Sequence, residues 1–160
     1  MNSELAYGRC YRIYLMFGSL TYFLFFNVFE GKSLTYQLPA LLEGRIAPQM
    51  SGPSTPYNKV TFVISPLLSL ITDQVDQMNA FMPGSALSFT SKMKGGTNEH
   101  ARRWQLVRDP KGGVCLVFVT PEKVYQSGKL KSELQKLYEQ GRLGRIVIDE
   151  CHCACQWGTC

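Results

Sequence analysis

The sequence predicts an α/β fold in which a mostly parallel sheet is flanked by helices. Three short runs, at residues 60–64, 114–119 and 146–148, are almost uninterruptedly apolar and rich in β-branched residues, which is typical of parallel strands that are buried on both faces. Stretches with apolar residues at helical spacing separate these runs. Strands that alternate with helices favour parallel pairing through right-handed crossovers.

Length and composition agree with a single globular domain. At 160 residues, with 45% hydrophobic and 18% charged residues, the chain can build a core of its own and does not have the composition of a disordered protein. The net charge of +5 permits contact with nucleic acid without requiring it.

Cysteines crowd the C-terminal end of the sequence. Cys151, Cys153 and Cys155 alternate, which is not the two-residue gap of a zinc knuckle, although His152 among them leaves a metal site open as an alternative. Free thiols of a reducing compartment are the simpler interpretation.

Residues 13–29 carry no charge, and three interpretations compete for them. A membrane span needs about 20 apolar residues, and a secretory signal needs a cleavage site of small residues, which does not follow here. The third interpretation is a buried strand at residues 22–26 that leads into a phosphate-binding turn. We favour the strand, because aromatic residues are enriched in strands and such a turn follows one, and we expect no membrane role.

Gly31, Lys32 and Ser33 form the strongest local signal for phosphate binding. In a Gly-rich loop, backbone amides surround the phosphates, the lysine neutralises them and the hydroxyl ligates Mg²⁺. Phe29 puts a ring where this loop must bend tightly. Glu30 adds a negative charge beside the phosphates, and like charges about 4 Å apart repel by roughly 1 kcal/mol in water. The predicted phosphate turn is therefore defective on its N-terminal side.

Further along the chain, the patterns predict helices at 33–42, 67–81, 98–108 and 130–140 and additional strands at 60–64, 86–89 and 114–119. Ser65 and Asn98 are candidate caps for the second and third helices, and Pro39 interrupts the first. Apolar spacing predicts the packed sides, which are Leu34, Leu38, Leu41 and Leu42 in the first helix, Leu67, Leu70, Ile71, Val75 and Met78 in the second, Trp104 in the third, and Leu130, Leu134, Leu137 and Tyr138 in the fourth.

Asp149 and Glu150 end the last predicted strand. In open α/β sheets, ligands bind at the carboxyl ends of the strands. There an Asp can hold the Mg²⁺ that bridges phosphates while a Glu polarises the attacking water. The pair therefore indicates magnesium-dependent nucleotide hydrolysis, and a strand that ends in a charged, solvated turn is the alternative.

Asp149-Glu150-x-His152, followed by Cys153 and Gln156-Trp157-Gly158, resembles the Walker B region of RecQ-type DNA helicases. Four other stretches agree with this family in order and spacing, namely residues 31–40, 63–75, 119–123 and 130–138. The last of them is similar to the Bloom-syndrome-protein branch. The resemblance covers about residues 31–160, with five motifs in register.

The resemblance implies a RecA-like P-loop NTPase lobe at residues 31–160, incomplete at its C-terminal end, after a divergent apolar segment at residues 1–30. It implies ATP and Mg²⁺ as cofactors, with Gly31, Lys32 and Ser33 on the phosphates and Ser33 and Asp149 on the metal ion. Its implied catalytic residues are Glu150, Asp149, His152 and Gln156. Its implied contacts with DNA are Ser65, Pro66, Thr120, Pro121 and Trp157.

The resemblance also implies partners and a location. These are single-stranded or forked DNA, a second RecA-like lobe that this sequence lacks, and the nucleus. By itself, Thr120 ahead of Pro121 fits a capped helix start as well as a DNA contact. A catalytically silent remnant that binds DNA or protein is the second hypothesis, because of Phe29 and Glu30.

Overall fold

The structure, a computed structural model, describes residues 11–17, 20–26, 31–46, 58–90 and 96–149. Its strands are β1 (Tyr11–Phe17), β2 (Leu20–Phe26), β3 (Val60–Ile64), β4 (Ala86–Phe89), β5 (Leu116–Val119) and β6 (Leu143–Ile148). Its helices are α1 (Leu34–Leu41), which continues into a π-helical turn (Leu42–Ile46), α2 (Leu68–Phe81), α3 (Gly96–Arg108), α4 (Pro121–Gln126) and α5 (Gly128–Glu139).

The strands form one six-stranded sheet in the order β2-β1-β6-β3-β5-β4. From β6 to β4 every pairing is parallel, and β1 is antiparallel to both β2 and β6. The predicted α/β fold with a mostly parallel sheet and flanking helices is confirmed.

The N-terminal strands differ from the expectation. The predicted strand at residues 22–26 lies within β2. Its partner β1 was not predicted from the sequence. Among the described strands, β2 is therefore an outer strand, and β1 separates it from β6. Because β1 is antiparallel to both neighbours, β2 and β6 run in the same direction and end at the same edge of the sheet.

The helices cover both faces of the sheet. On one face, α1 and α2 bury a cluster that includes Tyr36, Ile71, Val63, Phe118 and Val147. On the other face, α3 and α5 pack on the strand residues that point the opposite way, such as Phe62 and Val117, as the period of two in a strand requires. The predicted packed position of Trp104 is confirmed, since its ring stacks on Phe89 with centroids 4.3 Å apart.

Helix α1 does not pack through the side predicted for it. Leu34 and Leu38 are 62% and 55% exposed, whereas Tyr36 and Ala40 are buried. The small side chain of Ala40 and the edge-on contact between Tyr36 and Phe118, with ring centroids 6.5 Å apart, account for the choice of this side. Of the four leucines predicted to be packed, Leu41 alone is buried.

The two predicted helix caps, and the predicted burial of two further apolar residues, are also wrong. Leu67, not Ser65, is the residue before α2, and no side chain caps that helix. Asn98 lies inside α3, because this helix begins at Gly96. Leu67 and Tyr138 are exposed; in α5, the buried side instead includes Glu133, which forms an ion pair with α3.

Candidate functional site

Three predicted site residues stand side by side at the carboxyl edge of the sheet. Asp149, Ser65 and Thr120 directly follow β6, β3 and β5, which are neighbouring strands. The N–H of Asp149 donates to the carbonyl of Ile64 at 2.9 Å, and the N–H of Ser65 donates to the carbonyl of Val119 at 3.0 Å. The backbone hydrogen bonds between neighbouring strands thus continue one residue past the strand ends. Since neighbouring strands lie about 4.8 Å apart, the backbones of Asp149 and Thr120 are separated by roughly 10 Å.

Asp149 offers an oxygen ligand at this edge. Its side chain is mostly buried, and the strand β6 that carries it is held between β1 and β3. Glu150, His152, Gln156 and Trp157, which were predicted to act beside it, lie outside the described residues.

Ser65 lies between the other two residues and is 1% exposed. Its Oγ atom is buried without a hydrogen-bond partner in the part of the chain that the structure describes. A buried hydroxyl left without a partner costs about 1–3 kcal/mol. Such a group calls for a specific explanation, and a role at a functional position is one of them. Pro66, the next residue, is partly exposed.

Thr120 has a structural role of its own. Its Oγ1 accepts a hydrogen bond from the N–H of Lys123 at 3.4 Å and so caps α4, with Pro121 at the first helical position. This is the capped helix start that the sequence left open beside a contact with DNA.

Gly31, Lys32 and Ser33 form the turn that begins α1. Gly31 has φ of +107°, a conformation that glycine adopts more readily than other residues. The carbonyl oxygens of the turn accept hydrogen bonds from the first helical turn, with Leu34 N–H to Gly31 at 3.0 Å and Gln37 N–H to Ser33 at 2.9 Å. The amino end of a helix attracts anions, because its N–H groups and its dipole present positive charge.

The direction of α1 brings this turn to the carboxyl edge of the sheet. At the far end of the helix, Gly44 in the π-helical turn lies against Cys115 and Lys59, the residues just before β5 and β3. The carboxyl end of α1 is thus at the amino edge of the sheet, and α1 runs against the strands. The amino end of α1, with Lys32 and Ser33, therefore lies toward Asp149 and Ser65.

The chemistry of the residues at this edge fits Mg²⁺ and a triphosphate. The hydroxyl of Ser33 and the carboxylate of Asp149 are hard oxygen ligands, and Mg²⁺ is usually held by one or two such groups together with substrate phosphates. The alternating cysteines that left another metal site open are outside the described residues.

Several buried polar residues were missed by the sequence reading. Arg145 on β6 pairs with Glu43 of the π-helical turn and also donates to the Thr61 hydroxyl at 3.4 Å. Gln37 of α1 donates to Gln74 of α2. A sequence signal existed for Gln74, because it interrupts the buried spacing between Ile71 and Met78; Arg145 precedes an apolar run and gives no such signal.

A parallel α/β sheet with a Gly-Lys-Ser turn and a strand-end aspartate at one edge is the architecture of P-loop nucleotide-binding proteins. The family comparison is more specific. The model of the DEAD/DEAH box helicase family matches residues 30–159, and the chain belongs to this family.

Curated relatives place the chain near RecQ-type helicases. It is 39% identical over 128 residues to "ATP-dependent DNA helicase Q-like 2" of Arabidopsis thaliana, 42% identical over 130 residues to "RecQ-like DNA helicase BLM" of Xenopus laevis, and 36% identical over 129 residues to "ATP-dependent helicase SGS1" of Saccharomyces cerevisiae. Each alignment covers 80% of this chain but only 16%, 8% and 8% of the respective relative. The resemblance to the RecQ family is confirmed, and with it the α/β RecA-like class of fold.

Among the described residues, no helix is long and apolar enough to cross a bilayer.

Proposed function

We propose that residues 31–160 form part of the ATP-binding RecA-like lobe of a RecQ-type DNA helicase. The observation that supports the proposal most directly is the direction of α1, which runs against the strands and so carries Lys32 and Ser33 toward the edge where Asp149 and Ser65 follow β6 and β3. The relatives of the chain are named ATP-dependent DNA helicases. In a complete protein we infer a 3′–5′ translocase that works with a second RecA-like lobe, acts on single-stranded or forked DNA and resides in the nucleus.

The phosphates of ATP are assigned to the start of α1. Gly31 lets the chain turn, and the amino end of the helix and the Lys32 ammonium attract the negative charge. Ser33 and Asp149 hold Mg²⁺, which supplies charge neutralisation across the phosphates. Asp149 is suited to this task because its backbone is tied to β3 by the hydrogen bond to Ile64.

Glu150 is assigned the orientation of the attacking water, since it directly follows Asp149 in the sequence. His152 and Gln156 are assigned to the coupling of nucleotide state to DNA. The residues assigned to the path of DNA are Ser65, Pro66, Thr120, Pro121 and Trp157. For Ser65, the place directly after β3 at the carboxyl edge of the sheet supports the assignment.

A titration of the 160-residue chain with a fluorescent ATP analogue and Mg²⁺ tests the nucleotide assignment. We expect saturable binding that is weakened at least tenfold by Lys32→Ala. Lys129→Ala is the matched control, because Lys129 is an exposed lysine at the start of α5. Equal affinities of the wild-type chain and Lys32→Ala would contradict the assignment.

A second candidate is a chain that does not hydrolyse ATP and serves only to bind DNA or a protein. One structural observation favours it: β1 lies between β2 and β6 and is antiparallel to both, so the sheet departs from parallel pairing between the strand that precedes the phosphate turn and the strand that precedes Asp149. Phe29 and Glu30 in the sequence point the same way. DNA-stimulated ATP hydrolysis that disappears in Glu150→Gln would rule this candidate out.

A further inference from the structure

One side-chain hydrogen bond joins the two helices that start at the proposed ligand edge. Gln37 of α1 donates from Nε2 to Oε1 of Gln74 of α2. Both residues are buried, with exposed fractions of 7% and 8%. Burying an amide is costly unless it has a hydrogen-bond partner, and here each amide supplies a partner to the other.

The surroundings of the pair are apolar. Tyr36, Ala40, Ile71 and Met78 from the same two helices belong to one hydrophobic cluster. Apolar contacts are non-directional and allow small shifts of one helix along another. A hydrogen bond has a required distance and angle, so the pair fixes the register between α1 and α2.

Each of the two glutamines lies close in the chain to one of the proposed ligand contacts. The N–H of Gln37 donates to the carbonyl of Ser33 at 2.9 Å, so Gln37 is one helical turn from the phosphate turn. Helix α2 begins at Leu68, three residues after Ser65, and Gln74 lies in its second turn. The pair is therefore a short route between the proposed nucleotide contact and the proposed DNA contact.

We propose that Gln37 and Gln74 are positioning residues that hold the phosphate turn in register with the β3–α2 segment, so that a movement of one is transmitted to the other. This inference rests on the proposed function for its ligands, ATP and single-stranded DNA. The register that it asserts can be measured without either ligand. Coupling between two sites requires an element with two arrangements whose equilibrium both sites bias, and the second experiment below tests whether α1 and α2, held by this pair, are such an element.

The first experiment measures amide hydrogen exchange by NMR in the full chain without ligand. Replacing Gln74 with Leu removes the acceptor but keeps an apolar side chain of similar size. Loss of one hydrogen bond is expected to speed exchange at residues 34–37, on the other helix, by about fivefold. Gln74→Glu keeps an acceptor oxygen for Gln37 and is expected to restore slow exchange.

Asn79→Leu is the matched control for this experiment. Asn79 also lies on α2, but its side chain bonds to the backbone of Ala86 on β4, at 3.0 and 3.1 Å. Its replacement is expected to change exchange near β4 and to leave residues 34–37 as in the wild-type chain. Unchanged exchange at residues 34–37 in Gln74→Leu, or an equal change in Asn79→Leu, would overturn the inference.

The second experiment measures the affinity for a labelled single-stranded oligonucleotide with and without a non-hydrolysable ATP analogue and Mg²⁺. Coupling factors between sites are typically about 5–150, and we expect Gln74→Leu to bring the factor to within about twofold of one. Gln74→Glu and Asn79→Leu should keep it. A factor unchanged in Gln74→Leu would overturn the inference. A wild-type chain that binds no nucleotide would instead contradict the proposed function, and the exchange experiment would still decide whether the pair sets the register.

Discussion

Arg142 ties the carboxyl end of α3 to the start of β6, and its replacement by Met is expected to destabilise the fold strongly. Its guanidinium donates to the carbonyl oxygens of Val107 at 3.0 Å, Arg108 at 2.6 Å and Asp109 at 3.1 Å, and to the side-chain oxygen of Asn58 at 3.0 Å. These carbonyls lie at the end of a helix, where the backbone presents negative charge. One buried cation therefore supplies donors to the carbonyls of Val107 and Arg108 at the helix end. At the carbonyl of Asp109 it joins the N–H of Gly112, which also donates there at 3.0 Å.

The size of the effect follows from these contacts. Methionine keeps much of the apolar length of arginine but has no donor. A buried carbonyl that loses its donor costs about 1–3 kcal/mol, and the charge at a helix end adds up to about 2 kcal/mol in a partly buried site. Burial also lowers the pKa of Arg142, against the influence of Asp109, which means that desolvation of the cation offsets part of the gain. With water reaching the exposed Arg108 and Asp109, we expect a net loss of about 3 kcal/mol.

Urea denaturation followed by circular dichroism measures this loss. For a slope of about 2 kcal/mol per molar urea, the midpoint should fall by about 1.5 M in Arg142→Met. Arg102→Met is the control. Arg102 lies on α3, its side chain is 71% exposed, and its ion pair with Glu99, at 3.5 Å, is a surface pair. Its effect should stay within about 0.5 kcal/mol. A midpoint for Arg142→Met within about 0.3 M of the wild-type value would refute the reasoning.

Three further predictions concern buried contacts. The hydrogen bonds of Arg108 hold the pKa of the Glu133 carboxyl below its usual value, against desolvation, so this pair should stabilise the fold above the ordinary pKa of about 4.3 and lose its effect as pH falls through the lowered pKa. Glu133→Gln should therefore be less stable than the wild-type chain at pH 7. A difference in melting temperature between the two chains that persists at pH 2 would contradict this. A methyl group at Gly44 would meet Cys115 and would come within 2.8 Å of the Lys59 carbonyl, so Gly44→Ala should cost about 1–3 kcal/mol in urea melts, whereas Gly128→Ala, with open space around it, should not. Burial raises the pKa of the Cys115 thiol to about 11, so mass spectrometry should find the Cys115 peptide unmodified by iodoacetamide at pH 8 in the folded chain and modified in urea; modification in the folded chain would contradict the burial.

The strands that could be predicted well are those with a pattern that leaves few alternatives. The bounds of β3 and β4 agree with the prediction residue by residue, because apolar runs between turn residues have the length of a strand and are too short for a helix. The aromatic run at residues 13–29 contains one such signal, since Gly18-Ser19 separates two apolar runs and a two-residue pair of this type is typical of a hairpin. The strand β1 was missed because the run was interpreted as a single uncharged segment and not as two strands on either side of this pair.

The helices show where local spacing is insufficient. In α1, Leu34 and Leu38 lie on a different side from Tyr36 and Ala40. The side with Ala40 packs on the sheet, because a small residue permits close packing. In α5, Glu133 is buried because Arg108 comes to it from α3. That partner is 25 positions away in the sequence, so helical spacing within α5 does not reveal it.

The sequence was sufficient to predict a set of residues for the candidate site, but not how they are arranged in space. The strand order explains why Asp149, Ser65 and Thr120 are neighbours, and rules on strand ends anticipated such a meeting. The buried state of Ser65 and the link between Gln37 and Gln74 depend on how helices pack across the sheet. Glu150, His152, Gln156 and Trp157 remain sequence predictions.

The measurement that tests the central claim most directly is paramagnetic broadening of amide NMR signals by Mn²⁺ bound with an ATP analogue. Mn²⁺ accepts the same oxygen ligands as Mg²⁺, and it broadens the signals of nearby amides. If Ser33 and Asp149 hold the metal ion of a nucleotide site, their amide signals should broaden first and together, and only when the nucleotide is present. Broadening that leaves both signals sharp, or that appears at another part of the sheet, would contradict the account.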